Sequence, residues 1–162
     1  MAEQKTNVMR VLDQKGIPYE SYQYACPNGA VDGVHVAQML GQDPSHVFKT
    51  LVTRGAGKGY YVFVVPVART LDLKAAARAV GEKSIAMIRQ AELLPLTGYI
   101  HGGCSPIGMK KLFPTVLDES ARELDTMVVS AGRIGMQVAL SPQALAACTG
   151  ASFAPVSREG QE

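Results

Sequence analysis

Lys49 and Thr50 lie among strand-forming residues in the segment HVFKTLVTRG (46–55), where an ammonium and a hydroxyl could both serve chemistry. Because strand side chains alternate between two faces, Lys49 points either to the side of Leu51 or into water. A lysine on an edge strand is often simply solvated. In a pocket wall it would donate hydrogen bonds to a substrate oxygen or phosphate, and burial would lower its pKa unless an anion compensates. Spacing alone leaves both interpretations open.

The glycine-rich segment TGYIHGGCSPIG (97–108) is a second candidate site. Gly102 and Gly103 lack Cβ atoms, so their backbone can approach a ligand closely, and successive N–H groups can bind an anion. Ser105 and Pro106 follow within the same segment. The alternative is a tight turn between two elements. The segment contains neither a Walker phosphate loop nor the GxSxG nucleophile pattern.

Cys104 and Ser105 are the candidate nucleophiles of this segment, and His101 lies three residues before the cysteine. A nucleophile needs a general base within hydrogen-bond reach and a group that orients the base, and the sequence indicates no third partner. A Cys–His dyad and a structural loop cysteine both fit the spacing. His35 and His46 stand apart without a carboxylate pattern, so no metal site is expected.

A third candidate is the segment VSAGRIG (129–135), in which a strand ends at Ser130 and Gly132 precedes Arg133. A hydroxyl and a guanidinium could reach a pocket rim from here, whereas a hairpin turn would leave the arginine in solvent. The lysine pair at 110–111 follows the glycine-rich segment. Such a pair is usually solvated, but near a pocket mouth it would suit a polyanion.

The composition is that of an ordinary globular protein, with 162 residues, 47% of them hydrophobic and 19% charged, which predicts one domain with its own core. The net charge of +2 neither requires nor excludes a nucleic-acid partner. Three widely spaced cysteines without CxxC spacing indicate reduced thiols. The N-terminal segment has the pattern of neither a signal nor a transit peptide, and no stretch approaches the roughly 18 apolar residues of a membrane span. We therefore expect a cytoplasmic protein with no membrane segment.

Apolar periodicity and the positions of Gly, Pro and Asp predict helices interspersed with short strands. Helices are predicted at 4–15, 34–40, 71–81 and 89–94, the last stopped by Pro95, and a final helix is capped by Ser141 and closed by Gly150. Strands are predicted at 19–24, 47–53, 60–65, 83–88, 115–120, 126–132 and 136–141, and a loop at 26–33. This pattern favours an α+β fold with a mixed, mainly antiparallel sheet. A doubly wound nucleotide fold is disfavoured, because no glycine fingerprint lies between a strand and a helix.

Five segments, in this order and spacing, resemble the YbaK/EbsC family of bacterial Cys-tRNA(Pro) deacylases, which are relatives of the editing insertion domain of prolyl-tRNA synthetase. They are FKTLV, PVARTLDLKAAARAVG, TGYIHGGCSPIG, TVLDES and VSAGRIG. The resemblance implies a single YbaK-like editing domain over residues 1–162. It implies a mixed, mainly antiparallel sheet curled into a partial barrel, with flanking helices and a central crevice. It also implies a trans-editing deacylase that clears mischarged Cys-tRNA(Pro) by cleaving the aminoacyl ester.

The resemblance assigns Lys49 as the essential pocket residue, and the N–H groups of Gly102 and Gly103 are then candidate oxyanion donors. It matches Gly102–Pro106 to the family's GxxxP loop, Ser130 to its strand-end serine and Tyr24 to its early tyrosine. The expected substrate-binding residues are Tyr24, Thr50, Ser105, Pro106, Ser130, Gly132 and Arg133. The chain departs from the family pattern in AVDG (30–33), where a bulky aromatic is frequent, and in Gln137, where a carboxylate is frequent. Both departures bear on which amino acid is accepted.

The aminoacyl ester is already activated, so the expected site lacks both a protein nucleophile and a metal. The resemblance suggests that the cysteinyl thiol of the substrate attacks its own carbonyl, which would make Cys104 dispensable. The expected partners are aminoacyl-tRNA, specifically tRNA(Pro), and prolyl-tRNA synthetase, with no cofactor and no membrane. One alternative is a deacylase for alanine or another small amino acid, because a pocket distinguishes one methylene by only roughly 1–3 kcal/mol. Another alternative is a non-catalytic module that binds a nucleotide or a tRNA end.

Overall fold

Short helices and strands alternate along the chain in a computed structural model that describes residues 5–26 and 32–159. The helices are α1 (Asn7–Gln14), α2 (Gly33–Leu40), α3 (Leu73–Val80), α4 (Gln90–Thr97) and α5 (Pro142–Thr149). The strands are β1 (Glu20–Gln23), β2 (Phe48–Gly55), β3 (Tyr60–Pro66), β4 (Thr70–Leu71), β5 (Ile85–Met87), β6 (Thr115–Asp118), β7 (Met127–Ser130), β8 (Met136–Leu140), β9 (Ser152–Ala154) and β10 (Ser157–Arg158). Two 3-10 turns cover Pro44–His46 and Glu119–Glu123.

The strands form a five-stranded sheet in the order β5-β2-β3-β6-β9, a three-stranded sheet β1-β8-β7 and a two-stranded ribbon β10-β4. Pairing is antiparallel except for β3 with β6 and β6 with β9. A parallel bridge between Val47 and Val128 joins the five-stranded sheet to the three-stranded one, and the described strands do not close into a barrel. The predicted α+β fold with a mixed, mainly antiparallel sheet is confirmed.

The helix ends coincide with the N-cap residues and terminating glycines that the sequence predicts. The side chains of Asp32, Asp72 and Ser141 each accept the N–H of the third residue that follows, as N-cap residues do. The same three helices end at glycines in the left-handed conformation, namely Gly41, Gly81 and Gly150. These short-range signals explain why the predicted helices correspond closely to the observed ones.

The prediction that Pro95 stops a helix is wrong, because α4 continues through Pro95 to Thr97 and ends at Gly98. A proline inside a helix removes one backbone hydrogen bond. The hydroxyl of Thr97 donates to the carbonyl of Leu93 at 2.8 Å, and the N–H of Gly98 donates to the carbonyl of Leu94 at 2.8 Å. These bonds hold the last turn together beyond the proline.

Other differences concern short elements. The predicted strand 115–120 ends at Asp118, whose side chain caps the following 3-10 turn by accepting the N–H of Ser120. Strands β4, β9 and β10 are not predicted from the sequence, because two or three residues are too few to show a strand period. The predicted loop 26–33 lies mostly outside the described residues.

The core is divided by the hairpin of β2 and β3. Phe48 and Val52 face a cluster formed with α1, β7 and β8, whereas Leu51 and Phe63 face a second cluster beneath α3. Lys49 is opposite Val65 in the register, so it shares the Leu51 face near the beginning of β2. In the described part of the chain, no helix combines the length and apolar character needed to cross a membrane.

Candidate functional site

A cavity of about 750 Å³ lies beside the first half of β2. On one edge of this strand, β3 pairs with Phe48 to Arg54. On the other edge, β5 reaches only Thr53–Gly55, and Val47 bridges to β7. No further described strand covers the interval between these two contacts. The uncovered edge forms a wall of the cavity and contributes Lys49, Thr50 and Leu51 to its lining.

Lys49 and Thr50, the first predicted pair, are both half-buried at this wall. The position of Lys49 supports the pocket interpretation over that of a solvated edge lysine. The Oγ1 atom of Thr50 is buried, with no hydrogen-bond partner among the described residues. Leaving a buried hydroxyl unpaired costs roughly 1–3 kcal/mol. A ligand that forms a hydrogen bond with Thr50 would recover this free energy, so the hydroxyl favours binding of a polar group.

Tyr24 and Ser130 line the cavity from the three-stranded sheet. Tyr24 follows β1, and its backbone N–H donates to the carbonyl of Gly135 at 2.9 Å, which anchors the chain there. Ser130 ends β7, and its Oγ accepts the N–H of Gly132 at 3.1 Å. The hydroxyl hydrogen of Ser130 is left to donate. The sheet therefore presents two polar side chains whose backbone positions are fixed.

Gln137 also lines the cavity and is almost fully buried. Its Oε1 accepts the side-chain N–H of Gln42 at 3.0 Å. With the oxygen engaged in this way, the amide NH₂ group of Gln137 is the part left to interact with a ligand. The site thus presents a neutral donor at this position.

The two glycines of the 97–108 segment have different environments. Gly102 lines the cavity and has φ 87°, a conformation that suits glycine. The N–H of Gly103 donates to the carbonyl of Ile100 at 3.0 Å, and a Cβ on Gly103 would lie 3.0 Å from the backbone nitrogen of Ile134. Gly103 is therefore used in a turn packed against the next loop, and only Gly102 is placed to meet a ligand.

Four predicted binding residues do not line the cavity: Ser105, Pro106, Gly132 and Arg133. Ser105 is fully buried, and its Oγ accepts an N–H two residues further on. Pro106 is buried, and a Cβ on Gly132 would lie 3.0 Å from the ring of Tyr99. Arg133 is exposed on the turn that follows. The positions of Ser105, Pro106 and Gly132 indicate that they support the loops that carry Gly102 and Ser130.

Cys104 and His101 both line the cavity, but their environments do not suit a nucleophile and its base. Burial raises the pKa of the Cys104 thiol to about 12, partly offset by a hydrogen bond to Thr97. His101 is exposed, and it has no hydrogen bond to Cys104 in the described structure. A thiol with this pKa holds its proton at neutral pH, so the geometry favours a structural cysteine.

Arg69 is a lining residue that the sequence reasoning missed. It lies in the turn after β3, and its side chain is bonded to Ser157. No local pattern marks it, because its partner is 88 positions away in the chain. Asp32 also lines the cavity, where its carboxylate caps α2 through the N–H of His35. Among the described lining residues, Lys49 and Arg69 stand against one carboxylate, so this part of the lining has an excess of positive charge.

Comparison with known proteins gives consistent relationships. The family model described as the aminoacyl-tRNA editing domain matches residues 29–148. A curated Enterococcus faecalis protein, named as the Cys-tRNA(Pro)/Cys-tRNA(Cys) deacylase EbsC, is 44% identical over 155 residues, which cover 96% of this chain and 94% of the relative.

Solved structures agree with this relationship. One, described as a trans-editing enzyme for prolyl tRNA synthetase, is 26% identical with a TM-score of 0.81, over 96% of this chain and 99% of the other. A crystal structure of a hypothetical protein is 25% identical with a TM-score of 0.84, over 93% and 99% of the two chains.

Proposed function

The chain belongs to the aminoacyl-tRNA editing domain family, and on this premise we propose that it is a trans-editing deacylase that clears mischarged Cys-tRNA(Pro). As an enzyme of this family it acts on aminoacyl-tRNA and cleaves the ester that joins the amino acid to the terminal ribose. The observation that carries the proposal is the cavity beside β2, where Lys49, Thr50 and Gly102 form one lining. The proposal treats residues 1–162 as one editing domain that acts in the cytoplasm on tRNA(Pro), with prolyl-tRNA synthetase as a partner.

The lining residues have distinct roles in this proposal. The ammonium of Lys49 orients the terminal ribose and stabilises the negative charge that develops on the ester oxygens, and the N–H of Gly102 supports the same charge. Thr50, Tyr24 and Ser130 donate or accept hydrogen bonds with the terminal nucleotide. Gly103, Ser105, Pro106 and Gly132 act indirectly by holding the two loops in place.

In this proposal the ester is cleaved by a nucleophile that the substrate itself supplies, its cysteinyl thiol. The cysteinyl sulfur bonds to the carbonyl carbon, the carbon–oxygen bond to the ribose breaks, and the thiol proton passes to the ribose oxygen. The products are tRNA with a free terminal hydroxyl and a cysteine thiolactone, which water then opens. Since prolyl and alanyl esters have no thiol, the same cavity leaves them intact.

A direct test incubates the protein with tRNA(Pro) charged with cysteine, alanine or proline, and with Cys-tRNA(Cys). We expect rapid loss of the cysteinyl esters, with prolyl-tRNA(Pro) decaying at the rate seen without protein. The measurement is the fraction of charged tRNA against time. Equal decay of all esters with and without protein would overturn the proposal and favour the binding module. Preferential loss of alanyl-tRNA(Pro) would assign the chain to the alanine-clearing alternative.

Replacing Cys104 with serine is expected to leave kcat/KM for Cys-tRNA(Pro) within about threefold of wild type, because a buried neutral thiol contributes packing and no nucleophile. The rate is measured under single-turnover conditions. Cys148→Ser is a matched control, since Cys148 is partly buried outside the cavity lining. A loss of a hundredfold or so in Cys104→Ser alone, with unchanged thermal unfolding, would restore a protein nucleophile to the mechanism.

A further inference from the structure

We propose that Arg69 binds the phosphate of the terminal nucleotide of the tRNA, at a subsite of the cavity separate from the one that holds the ester. This inference rests on the proposed function, because it takes aminoacyl-tRNA as the ligand. It starts from the position of Arg69 in the turn after β3, where it lines the cavity together with Val67, Ala68 and Thr70.

The guanidinium of Arg69 is held in place before any ligand binds. Its Nε donates to Oγ of Ser157 at 2.8 Å, and its Nη2 donates to the carbonyl of Ser157 at 3.3 Å. Ser157 is itself fixed, because its N–H donates to Oδ1 of the buried Asp118 at 3.0 Å. A side chain already fixed in this way loses little further entropy when it binds, which favours affinity.

The charge of Arg69 is not neutralised by its partners. Both bonds go to uncharged groups of Ser157, and no carboxylate of the described residues lies within 4.0 Å of the guanidinium. A guanidinium has five N–H donors, so three remain after the two bonds to Ser157. A half-buried cation with three free donors at a cavity wall suits an oxyanion, and phosphate geometry matches this fork.

Within an aminoacyl-tRNA, the anion next to the ester is the phosphodiester on the 5′ side of the terminal ribose. Lys49 and Arg69 are both carried by the β2–β3 hairpin. Lys49 lies in β2 opposite Val65 of β3, and Arg69 lies in the turn that follows β3. Two cations on connected parts of the lining can therefore take the two ends of one nucleotide. Lys49 acts at the ester, and Arg69 acts at the phosphate.

The alternative is that Arg69 has only a structural role, in which its bonds to Ser157 hold β10 against β4. The two roles separate when the phosphate is varied on the ligand. The variant is Arg69→Gln, and the control is Arg78→Gln, which removes the same charge from an exposed position on α3 outside the cavity lining. Adenosine and adenosine 5′-monophosphate serve as competitors in the deacylation of Cys-tRNA(Pro), and in the displacement of a labelled, uncharged CCA-ended RNA.

For wild type and Arg78→Gln, we expect the monophosphate to compete about tenfold better than adenosine, as a charge-assisted bond predicts. For Arg69→Gln, the two competitors are expected to act equally. In Arg69→Gln, KM for Cys-tRNA(Pro) is expected to rise about tenfold, while kcat stays within about twofold of wild type. The slope of log RNA affinity against log salt concentration is expected to become shallower by about 0.7. If Arg69 has only a structural role, Arg69→Gln will lower thermal stability and leave the preference for the monophosphate intact. That result would overturn the inference.

The RNA displacement assay separates this inference from the proposed function. If wild type cleaves no ester, the proposed function fails, while the loss of monophosphate preference in Arg69→Gln still supports a phosphate subsite. If Arg69→Gln does not fold, Ser157→Ala replaces it, since it keeps the charge and removes one anchor bond. We expect a severalfold smaller preference in Ser157→Ala, and an unchanged preference there would contradict the inference.

Discussion

Lys49→Ala is expected to lower kcat/KM for Cys-tRNA(Pro) by about a hundredfold or more, because removal of one preorganised donor to a developing oxyanion typically costs 10²–10³ in rate. The reason is local: Lys49 contributes an ammonium to a cavity lining in which the adjacent Thr50 offers a hydroxyl and Gly102 is proposed to offer a backbone N–H. Those neutral groups cannot replace a full charge. The measurement is single-turnover decay of the cysteinyl ester at a series of protein concentrations, whose initial slope gives kcat/KM.

Lys74→Ala is the matched control, because Lys74 is an exposed lysine on α3 that does not line the cavity. We expect its rate to equal that of wild type within about twofold, as for an ordinary surface substitution. Lys49→Ala should still bind uncharged tRNA within a few-fold, which separates a catalytic loss from a binding loss. Equal deacylation by the two alanine variants would refute the assignment of Lys49.

The parts of the fold that the sequence predicts are those specified by short-range signals. Asp32 and Gly41 bound α2, and the glycines between β2 and β3 join two clear strands in a hairpin. The elements missed are those whose existence depends on distant partners. Strand β10, for example, contains two residues and forms only because Ser157 pairs with Leu71. No window of sequence around it contains that information.

The same distinction applies to the site. The resemblance indicates Lys49, Tyr24, Gly102 and Ser130, the strand pattern adds Thr50, and the structure brings these five residues to one cavity. It does not indicate which backbone groups are already used, because the bond from Gly103 to Ile100 depends on how the turn packs. Sequence spacing also cannot show that Arg133 turns outward while the residues beside it support the loop.

Asp118 is a buried carboxylate whose loss is expected to lower the stability of the fold. It is 4% exposed, and its Oδ1 accepts the N–H groups of Val156 and Ser157, both at 3.0 Å. Its Oδ2 accepts the N–H of Ser120 at 3.3 Å and the hydroxyl of Ser120 at 2.6 Å. One carboxylate therefore joins the end of β6, the following 3-10 turn and the C-terminal ribbon.

Asp118→Ala is expected to lower the free energy of unfolding by about 3 kcal/mol, since it removes these four bonds and leaves a buried backbone N–H unpaired. For a chain of this length the expected fall in Tm is about 6–12 °C. Glu119→Ala is the control, because Glu119 is exposed and adjacent, and a change within about 0.5 kcal/mol is expected there. Both are measured by urea and thermal unfolding. Equal stability of the two variants would show that Asp118 does not hold the ribbon, and Ser157 would then need another anchor to position Arg69.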